Sequence, residues 1–206
     1  MQLIVITPDK PADKEHAIVN ELFKCGLDRL HLRKPSFDRD AYINYISNII
    51  PEFHDRIVVS GCFELYHELK LGGVHLNSHF RVSPSVWKIV SDIPGNAIST
   101  SFHSWTEVIE NTFPYNYVFI SPVFDSISKI GYNAAIDLNA VNETRQACMV
   151  NRNYCPAIIG LGGVGMNELP ILKKTGFDGA AMLGSIWQAK DPVAEMIKVL
   201  KLVNTL

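Results

Sequence analysis

Side chains suited to acid–base and anion chemistry occupy alternate positions of several short apolar segments. His31 and Arg33 alternate with leucines, His75 stands between a valine and a leucine, and Ser99 and Ser101 repeat the pattern. Successive side chains of a β-strand point to opposite faces, so one face of each segment is apolar and the other polar. Imidazole moves protons near neutral pH, and guanidinium binds anions. The pattern predicts a polar ligand site, with a hydrogen-bonded polar core as the alternative.

Two glycine-rich turns in the last quarter of the chain point to phosphate binding. Gly162 and Gly163 end one apolar segment, and Gly184 and Ser185 follow another. Glycine lets the backbone approach a ligand closely, and the N–H groups at the start of a following helix favour an anion. Either turn alone is a weak signal, because many turns need glycine. Both together, after the last two strands, predict a phosphate site.

Eight short β-rich segments must position these groups, and they alternate with amphipathic segments of helical length. The predicted strands are 3–7, 29–33, 57–60, 73–77, 97–101, 117–121, 157–161 and 179–183. Eight such units without a long polar linker predict a single (β/α)8 TIM barrel over residues 1–206. A doubly wound open sheet is the alternative, although it usually carries a glycine-rich turn after its first strand. In a barrel the polar groups meet at the C-terminal mouth, where the active sites of this fold lie.

Several helix boundaries and one loop are also predicted. Ser36 and Asn167 are candidate N-caps, Pro170 falls in the first turn of a helix, and Gly176 ends that helix. The connection 122–135 is the one long one and contains serine and glycine, which is typical of an active-site loop.

The composition excludes several classes of function. Among 206 residues, 19 Lys and Arg nearly balance 21 Asp and Glu, so no basic surface for nucleic acid is predicted. No apolar run approaches the roughly 20 residues that cross a bilayer, and no signal-peptide pattern is found. The 4 cysteines lack CxxC or zinc spacing. This spacing favours reduced thiols in the cytoplasm.

Six motifs follow one another along the chain at the ends of the predicted strands. They are His31-Leu32-Arg33-Lys34, Gly73-Val74-His75-Leu76, Ser101-Phe102-His103, Ser121-Pro122-Val123-Phe124 with Ser126-Ile127-Ser128-Lys129, Gly160-Leu161-Gly162-Gly163-Val164 and Gly184-Ser185-Ile186. In these motifs and their order, the chain resembles the thiamine phosphate synthase family, which includes a thiazole tautomerase branch. The resemblance extends over nearly the whole chain.

The resemblance implies a thiamine-biosynthesis enzyme with small phosphorylated heterocycles as substrates. Synthases of the family join a pyrimidine diphosphate to a thiazole phosphate and release pyrophosphate with the help of magnesium. The residues carried over to the thiazole phosphate are Ser126, Ser128, Gly163, Gly184 and Ser185. Arg33, Ser101 and Lys129 would face the pyrimidine diphosphate. The other expected substrate-binding residues are His31, Lys34, Ser60, His75 and Gly162.

The metal-binding half of the site departs from the family pattern. Family synthases carry Asn-Asp after the third strand, where this chain has Ser60-Gly61, and a second aspartate where it has Phe80. Magnesium requires hard oxygen ligands, and neither Gly61 nor Phe80 has a side-chain oxygen. Asp9 and Asp125 are the nearest substitutes, and neither stands at a family metal position. No metal site is therefore predicted.

The pyrimidine half also departs from the pattern. The family glutamine is replaced by His31, and the family lysine falls on Pro35, so Lys34 would supply a shifted cation. The residues with side chains suited to a catalytic role are His103, Lys129 and Arg33.

Three hypotheses follow, and the leading one is a metal-independent, tautomerase-like enzyme. The tautomerase branch keeps the barrel and the phosphate site, and its proton shift needs an acid–base group such as His103. The catalytic histidine of that branch falls after the sixth strand, where this chain has Pro122. The second hypothesis is a working synthase, for which magnesium would be needed, and the third is a non-catalytic regulator that binds thiazole or thiamine phosphate. A homodimer is a family expectation only.

Overall fold

Eight β-strands are present in the residues that the computed structural model describes, 1–125 and 134–206. Named β1 to β8 in chain order, they are Gln2–Ile6, Arg29–Leu32, Ile57–Val59, Gly73–Leu76, Ile98–Phe102, Tyr117–Ile120, Ala157–Leu161 and Gly179–Met182. Each predicted strand is confirmed, with every boundary within one residue. Short runs of β-branched and aliphatic residues between turn-forming residues are therefore sufficient to define them.

The strands form a closed barrel. They pair in chain order and in parallel, and β8 pairs with β1 from Gln2 opposite Gly179 to Val5 opposite Met182. The predicted (β/α)8 barrel is confirmed, and the open-sheet alternative is wrong because each of these strands has a neighbour on both sides. All carboxyl ends lie at one end of the barrel, the C-terminal mouth.

Alternate residues of each strand belong to two separate hydrophobic layers. The outer layer contains Leu30, Leu32 and Val74, which are fully buried against the surrounding helices. The barrel interior contains a smaller apolar cluster formed by Ile4, Ile6, Tyr117, Phe119, Ile159 and Ala181. His31 and His75 lie in this interior, with ring centroids 4.7 Å and 5.0 Å from that of Phe119. The predicted alternation of apolar and polar faces is confirmed.

Ten α-helices surround the barrel in the described residues, together with short 3-10 helices at Pro51–Arg56, Gly95–Ala97 and Leu138–Ala140. The α-helices, α1 to α10, are Glu15–Cys25, Arg39–Ser47, Leu65–Glu68, Ser78–Arg81, Pro84–Val90, Trp105–Glu110, Val141–Arg152, Leu169–Thr175, Gly184–Trp187 and Pro192–Val203. Among the described helices, none has the length and apolar character that a membrane crossing requires.

The two predicted N-caps are wrong. Residue 38, not Ser36, caps α2: the Asp38 carboxylate accepts from the Ala41 N–H, because the chain turns once more before the helix begins. Ahead of α8, Asn167 lies in a turn in which the Glu168 carboxylate reaches back to the Gly165 N–H at 3.0 Å. The predicted end of α8 at Gly176 is confirmed, and Pro170 lies in its first turn.

Candidate active site

Two histidines lie under the mouth of the barrel and are held by hydrogen bonds. His31 is 1% exposed and its Nε2 contacts the Tyr117 hydroxyl, while His75 bridges Ser99 and Ser101 at 3.0 Å and 2.9 Å. Burial lowers the pKa of His75 to about 3, and the charges of two nearby arginines act in the same direction. Burial also places the pKa of His31 well below its ordinary value. Both rings are therefore neutral at pH 7.

Sequence reasoning missed Tyr117 as part of this group. The residue shares its strand face with Phe119, which is the signal that could have placed it in the interior beside the histidines. Its ring centroid lies 5.7 Å from that of His31, in an edge-on arrangement.

Arg33 lies at the rim of the mouth, next to β2. Its backbone N–H donates to Thr7 Oγ1 at 2.9 Å, and the Thr7 hydroxyl donates back to the Arg33 carbonyl at 3.1 Å. The guanidinium pairs with the Asp9 carboxylate, and about half of each side chain is exposed. Because an exposed ion pair contributes only about 0–1 kcal/mol, an incoming anion can displace Asp9 at small cost.

The Lys34 side chain is buried and paired with Glu15, and the predicted role in substrate binding does not fit this position. It follows Arg33 and so points to the opposite face, where it is 1% exposed. Its Nζ lies 2.8 Å from Glu15 Oε1 and donates to the Pro8 carbonyl at 2.7 Å. The Tyr45 hydroxyl donates to the same carboxylate at 2.7 Å. Lys34 therefore belongs to the layer between the strands and the helices.

His103 follows β5 and its side chain reaches toward the end of β6. Its Nδ1 lies 3.0 Å from the Ser121 carbonyl oxygen. Since a carbonyl oxygen only accepts, Nδ1 carries the proton of the neutral ring and Nε2 keeps its lone pair. His103 is exposed, so that lone pair can accept a proton from a ligand. The residue after Ser121 is Pro122, the position at which a catalytic histidine of the tautomerase branch is expected.

The two glycine-rich turns lie side by side at the mouth. The Ser185 hydroxyl donates to the Val164 carbonyl at 2.8 Å and joins the turn after β7 to the start of α9. The N–H groups of Gly184 and Ser185, the first two residues of α9, have no acceptor within the helix. The turn after β7 also pairs with the segment after β6, through the Phe124 N–H and the Gly162 carbonyl at 3.1 Å. Three loops thus meet where a phosphate is predicted.

Gly163 is required by this arrangement. It adopts φ +67°, and a Cβ there would lie 2.4 Å from the Asp125 carbonyl oxygen. We expect Gly163→Ala to destabilise the fold by about 1–3 kcal/mol and to weaken phosphate binding, because the loops must separate. Gly165→Ala is the matched control, since its Cβ would meet only side-chain atoms at 3.2 Å or more. Urea unfolding and calorimetry with a thiazole phosphate measure both effects, and equal behaviour of the two variants would contradict the prediction.

Ser60 and Gly61 follow β3, and Phe80, at the other family metal position, lies in α4 after β4. A Cβ at Gly61 would lie 3.1 Å from the Tyr42 hydroxyl, and Phe80 packs edge-on against Phe63 with ring centroids 5.2 Å apart. Within residues 1–125 and 134–206, no group of three His, Cys, Asp or Glu side chains could hold a metal ion. Magnesium requires oxygen ligands, so the residues present at these positions do not fit it.

Three predicted site residues lie outside the described residues. They are Ser126, Ser128 and Lys129, and their predicted roles stay predictions from the sequence motif. Asp125, the last described residue before them, is exposed and accepts from the Ala134 N–H at 2.7 Å.

The chain is similar to known proteins over nearly its full length. The profile of the family described as thiamine monophosphate synthase matches residues 3–186. A thiamine-phosphate synthase of Desulfitobacterium hafniense is 23% identical over 180 residues, covering 85% of this chain and 83% of that protein. A thiamine-phosphate synthase of Bacteroides thetaiotaomicron is 21% identical over 204 residues, covering 98% of this chain and 96% of that protein.

Two solved structures of thiamine phosphate pyrophosphorylases superpose on nearly the whole chain. The crystal structure of a thiamine phosphate pyrophosphorylase from Bacteroides thetaiotaomicron superposes with a TM-score of 0.77 at 30% identity, over 99% of this chain and 98% of that chain. A thiamine phosphate pyrophosphorylase from Pyrococcus furiosus gives a TM-score of 0.70 at 19% identity, over 99% of this chain and 96% of that chain. The second match shows the shared fold alone.

Proposed function

The chain belongs to the thiamine monophosphate synthase family, and we propose that it binds a thiazole phosphate at the C-terminal mouth and joins it to a pyrimidine diphosphate, forming thiamine phosphate and releasing pyrophosphate. The observation that carries the proposal is the contact between Ser185 and Val164, which brings the two glycine-rich turns together. The names of the relatives favour this activity over the tautomerase hypothesis. The proposal places the reaction in the cytoplasm, and a homodimer stays a prediction.

The phosphate half of the proposed site relies on backbone groups. The Ser185 hydroxyl donates its proton to the Val164 carbonyl. The backbone N–H groups of the turns would therefore be the donors to a bound phosphate. Backbone N–H groups orient a phosphate without adding a positive charge to the site, so no unpaired charge is left there when the product dissociates.

The diphosphate half relies on Arg33. A leaving pyrophosphate gains negative charge, and a guanidinium held at the rim stabilises it there. The two hydrogen bonds between Thr7 and the Arg33 backbone fix the position from which this side chain extends. No step of the proposal passes through magnesium, because the residues at the family metal positions do not fit it.

The role of Arg33 gives a specific prediction. We expect Arg33→Ala to weaken the binding of inorganic pyrophosphate at least about tenfold, because a charge-assisted contact is lost. Arg39→Ala is the matched control, since Arg39 forms an equally exposed pair with Glu68 on the outer helices. Calorimetry without magnesium measures both variants. A pyrophosphate affinity that is unchanged in Arg33→Ala would remove Arg33 from the site.

A metal-independent tautomerase is the second candidate, and two observations favour it. The metal positions are Gly61 and Phe80, and His103 offers an exposed Nε2 lone pair beside Pro122. Aromatisation of a thiazole phosphate tautomer moves one proton from carbon to a base and returns a proton elsewhere on the ring, so an imidazole is sufficient.

The second candidate predicts a large effect of His103. We expect His103→Gln to lower the rate of thiazole tautomer conversion about 10²–10⁴-fold, the usual contribution of a general base. His54→Gln is the control, because His54 precedes β3 at the opposite end of the barrel. Conversion is followed by the absorbance of the aromatic thiazole. Equal rates in both variants would exclude His103 as the base.

A coupling assay separates the candidates. The purified protein is mixed with pyrimidine diphosphate and thiazole phosphate, with and without magnesium, and thiamine phosphate is quantified. Product formation supports the synthase, and the comparison with and without magnesium shows whether other oxygens replace the missing carboxylates. Absence of product, with thiazole phosphate still bound, would overturn the synthase proposal and leave the tautomerase or a non-catalytic binder, which the tautomer assay separates.

A further inference from the structure

The diphosphate half of the mouth, formed by the segments that follow β1 to β5, carries two guanidinium groups. One belongs to Arg33, which follows β2. The other belongs to Arg81 in α4, directly after the family metal position at Phe80, and its Nη1 donates to the Ser101 carbonyl at 2.6 Å. Burial is the main cause of the lowered pKa of His75, and the charges of both arginines add to it. Positive charge is therefore built into the half in which the family places a metal ion.

Two acidic side chains lie beside these guanidinium groups, and both are engaged by them. Asp9 pairs with Arg33, and about half of each side chain is exposed. Glu107 Oε1 accepts from Arg81 Nη2 at 3.1 Å, and its Oε2 accepts from the His103 N–H at 2.7 Å. A divalent cation that used either carboxylate would have to compete with a guanidinium for it.

Metal-binding side chains are not gathered elsewhere in the described part of the chain. Within residues 1–125 and 134–206, no three His, Cys, Asp or Glu side chains are grouped so that they could hold a metal ion. The sequence of residues 126–133 contains none of these four residue types. Magnesium is usually held by one or two carboxylates in addition to the phosphate oxygens of its ligand. The chain therefore offers a diphosphate guanidinium groups in place of a metal ion.

Packing also fills the space around the two family metal positions. A Cβ at Gly61 would lie 3.1 Å from the hydroxyl of Tyr42, a side chain that is 2% exposed. Phe80 packs edge-on against the buried Phe63. An acidic side chain at residue 61 would have to displace the Tyr42 hydroxyl. The loss of the carboxylates is therefore accompanied by aromatic side chains that occupy their surroundings.

We propose that the diphosphate half binds a diphosphate that is free of metal, and that magnesium weakens this binding by converting the ligand into a metal complex. A metal ion on the diphosphate occupies oxygens that a guanidinium would contact and cancels part of the negative charge that attracts it. The bound diphosphate replaces Asp9 on Arg33, so one anion is exchanged for another. The choice of a diphosphate rests on the proposed function, and the new element is the form in which it binds.

Pyrophosphate binding at two magnesium concentrations tests this proposal. Inorganic pyrophosphate is titrated into the full chain in calorimetry, once with a metal chelator and once with magnesium in excess, at an ionic strength matched with potassium chloride. We expect the affinity to fall at least about tenfold in magnesium, because a charge-assisted contact is weakened. Thiazole phosphate is the control ligand, and its affinity should stay the same in both buffers. A pyrophosphate affinity that is unchanged or higher in magnesium would overturn the proposal.

Equilibrium dialysis gives a second readout that does not depend on activity. The full chain is dialysed against Mn²⁺, which replaces magnesium because its paramagnetism makes it easy to quantify, with pyrophosphate in molar excess over the metal. We expect pyrophosphate to be enriched on the side of the protein and Mn²⁺ to be distributed equally. Enrichment of Mn²⁺ together with pyrophosphate would show that the protein takes the metal complex, and would overturn the proposal.

The outcomes separate this proposal from the proposed function. Tighter pyrophosphate binding in magnesium, together with formation of thiamine phosphate, would overturn this proposal and leave the proposed function intact. Binding of metal-free pyrophosphate without any thiamine phosphate in the coupling assay would support this proposal and overturn the proposed function. No pyrophosphate binding in either buffer would overturn both this proposal and the diphosphate half of the proposed function. A coupling rate that is highest with the chelator and falls as magnesium is added supports both.

Discussion

Replacement of Lys34 by methionine is expected to lower the free energy of unfolding by about 3–5 kcal/mol. The ammonium group is fully buried and provides the positive charge opposite Glu15, which is 2% exposed. Methionine keeps most of the packing volume and removes the charge. Glu15 would then be a buried carboxylate without a counter-charge, and the removal of one partner from a buried pair is strongly destabilising.

The same cluster also holds the loop between β1 and α1. Lys34 donates to the Pro8 carbonyl at 2.7 Å, and Glu15 Oε2 accepts from the Ala12 N–H at 2.7 Å. Asp9, the partner of Arg33, lies between these two contacts in the sequence. Loss of Lys34 is therefore expected to change the rim of the mouth, to which Asp9 and Arg33 belong.

Two further variants test whether the cost of Lys34→Met comes from the buried charge pair. Lys198→Met removes a lysine from an exposed pair with Glu195 and is expected to cost less than about 1 kcal/mol. The double variant Lys34→Met with Glu15→Gln removes both charges and is expected to recover part of the lost stability. Urea unfolding measures all three. A Lys34→Met cost as small as that of Lys198→Met would show that water reaches Glu15.

The stability of the wild type is expected to fall more steeply with acid than that of the His75→Gln variant. The pKa of His75 is lowered in the folded protein to about 3, mainly by burial and then by Arg33 and Arg81. In the unfolded chain the ring takes up a proton near its ordinary pKa of about 6.5. Between these values the unfolded state binds more protons, so stability is present above about pH 6.5 and is lost as the pH falls towards 3.

The expected difference between the two proteins in the loss of unfolding free energy with acid is large. A pKa separation of this size corresponds to about 3–5 kcal/mol between pH 7 and pH 3, in addition to the titration of carboxyl groups that both proteins share. Glutamine at position 75 can hydrogen bond to the same serines without titrating. His79→Gln is the control, because His79 is exposed, and it should keep the wild-type slope. Urea unfolding at several pH values gives the slopes, and parallel curves for wild type and His75→Gln would contradict the prediction.

The strands and the two faces of the barrel could be predicted from the sequence because both depend on a period of two. The alternation around His31 and His75 requires only local geometry, and the structure places both rings inside the barrel. The glycine-rich turns could also be predicted from the sequence. A position such as Gly163 leaves no space for a side chain and therefore requires glycine, a residue type that the sequence shows directly.

Contacts between distant segments could not be predicted in this way. The sequence motif places Lys34 next to Arg33, but its partner Glu15 lies in α1 and decides where the ammonium group goes. The tautomer of His103 likewise depends on the Ser121 carbonyl, a backbone group that carries no sequence signal. The predicted caps failed because a single extra turn, such as that ahead of Asp38, moves a helix start by two residues.

The order of the strands around the barrel has an evolutionary consequence. Gly61 follows β3 and Phe80 follows β4, whereas Gly163 follows β7 and Gly184 follows β8. In the closed barrel, β7 is four strands from β3 in either direction, and β8 is four strands from β4. In the part of the chain that the structure describes, the segments after β3 and β4 therefore lie across the mouth from those after β7 and β8. Mutations can accumulate on one side while purifying selection preserves the other, so this architecture allows a lineage to exchange its chemistry while it retains recognition of the same phosphorylated partner.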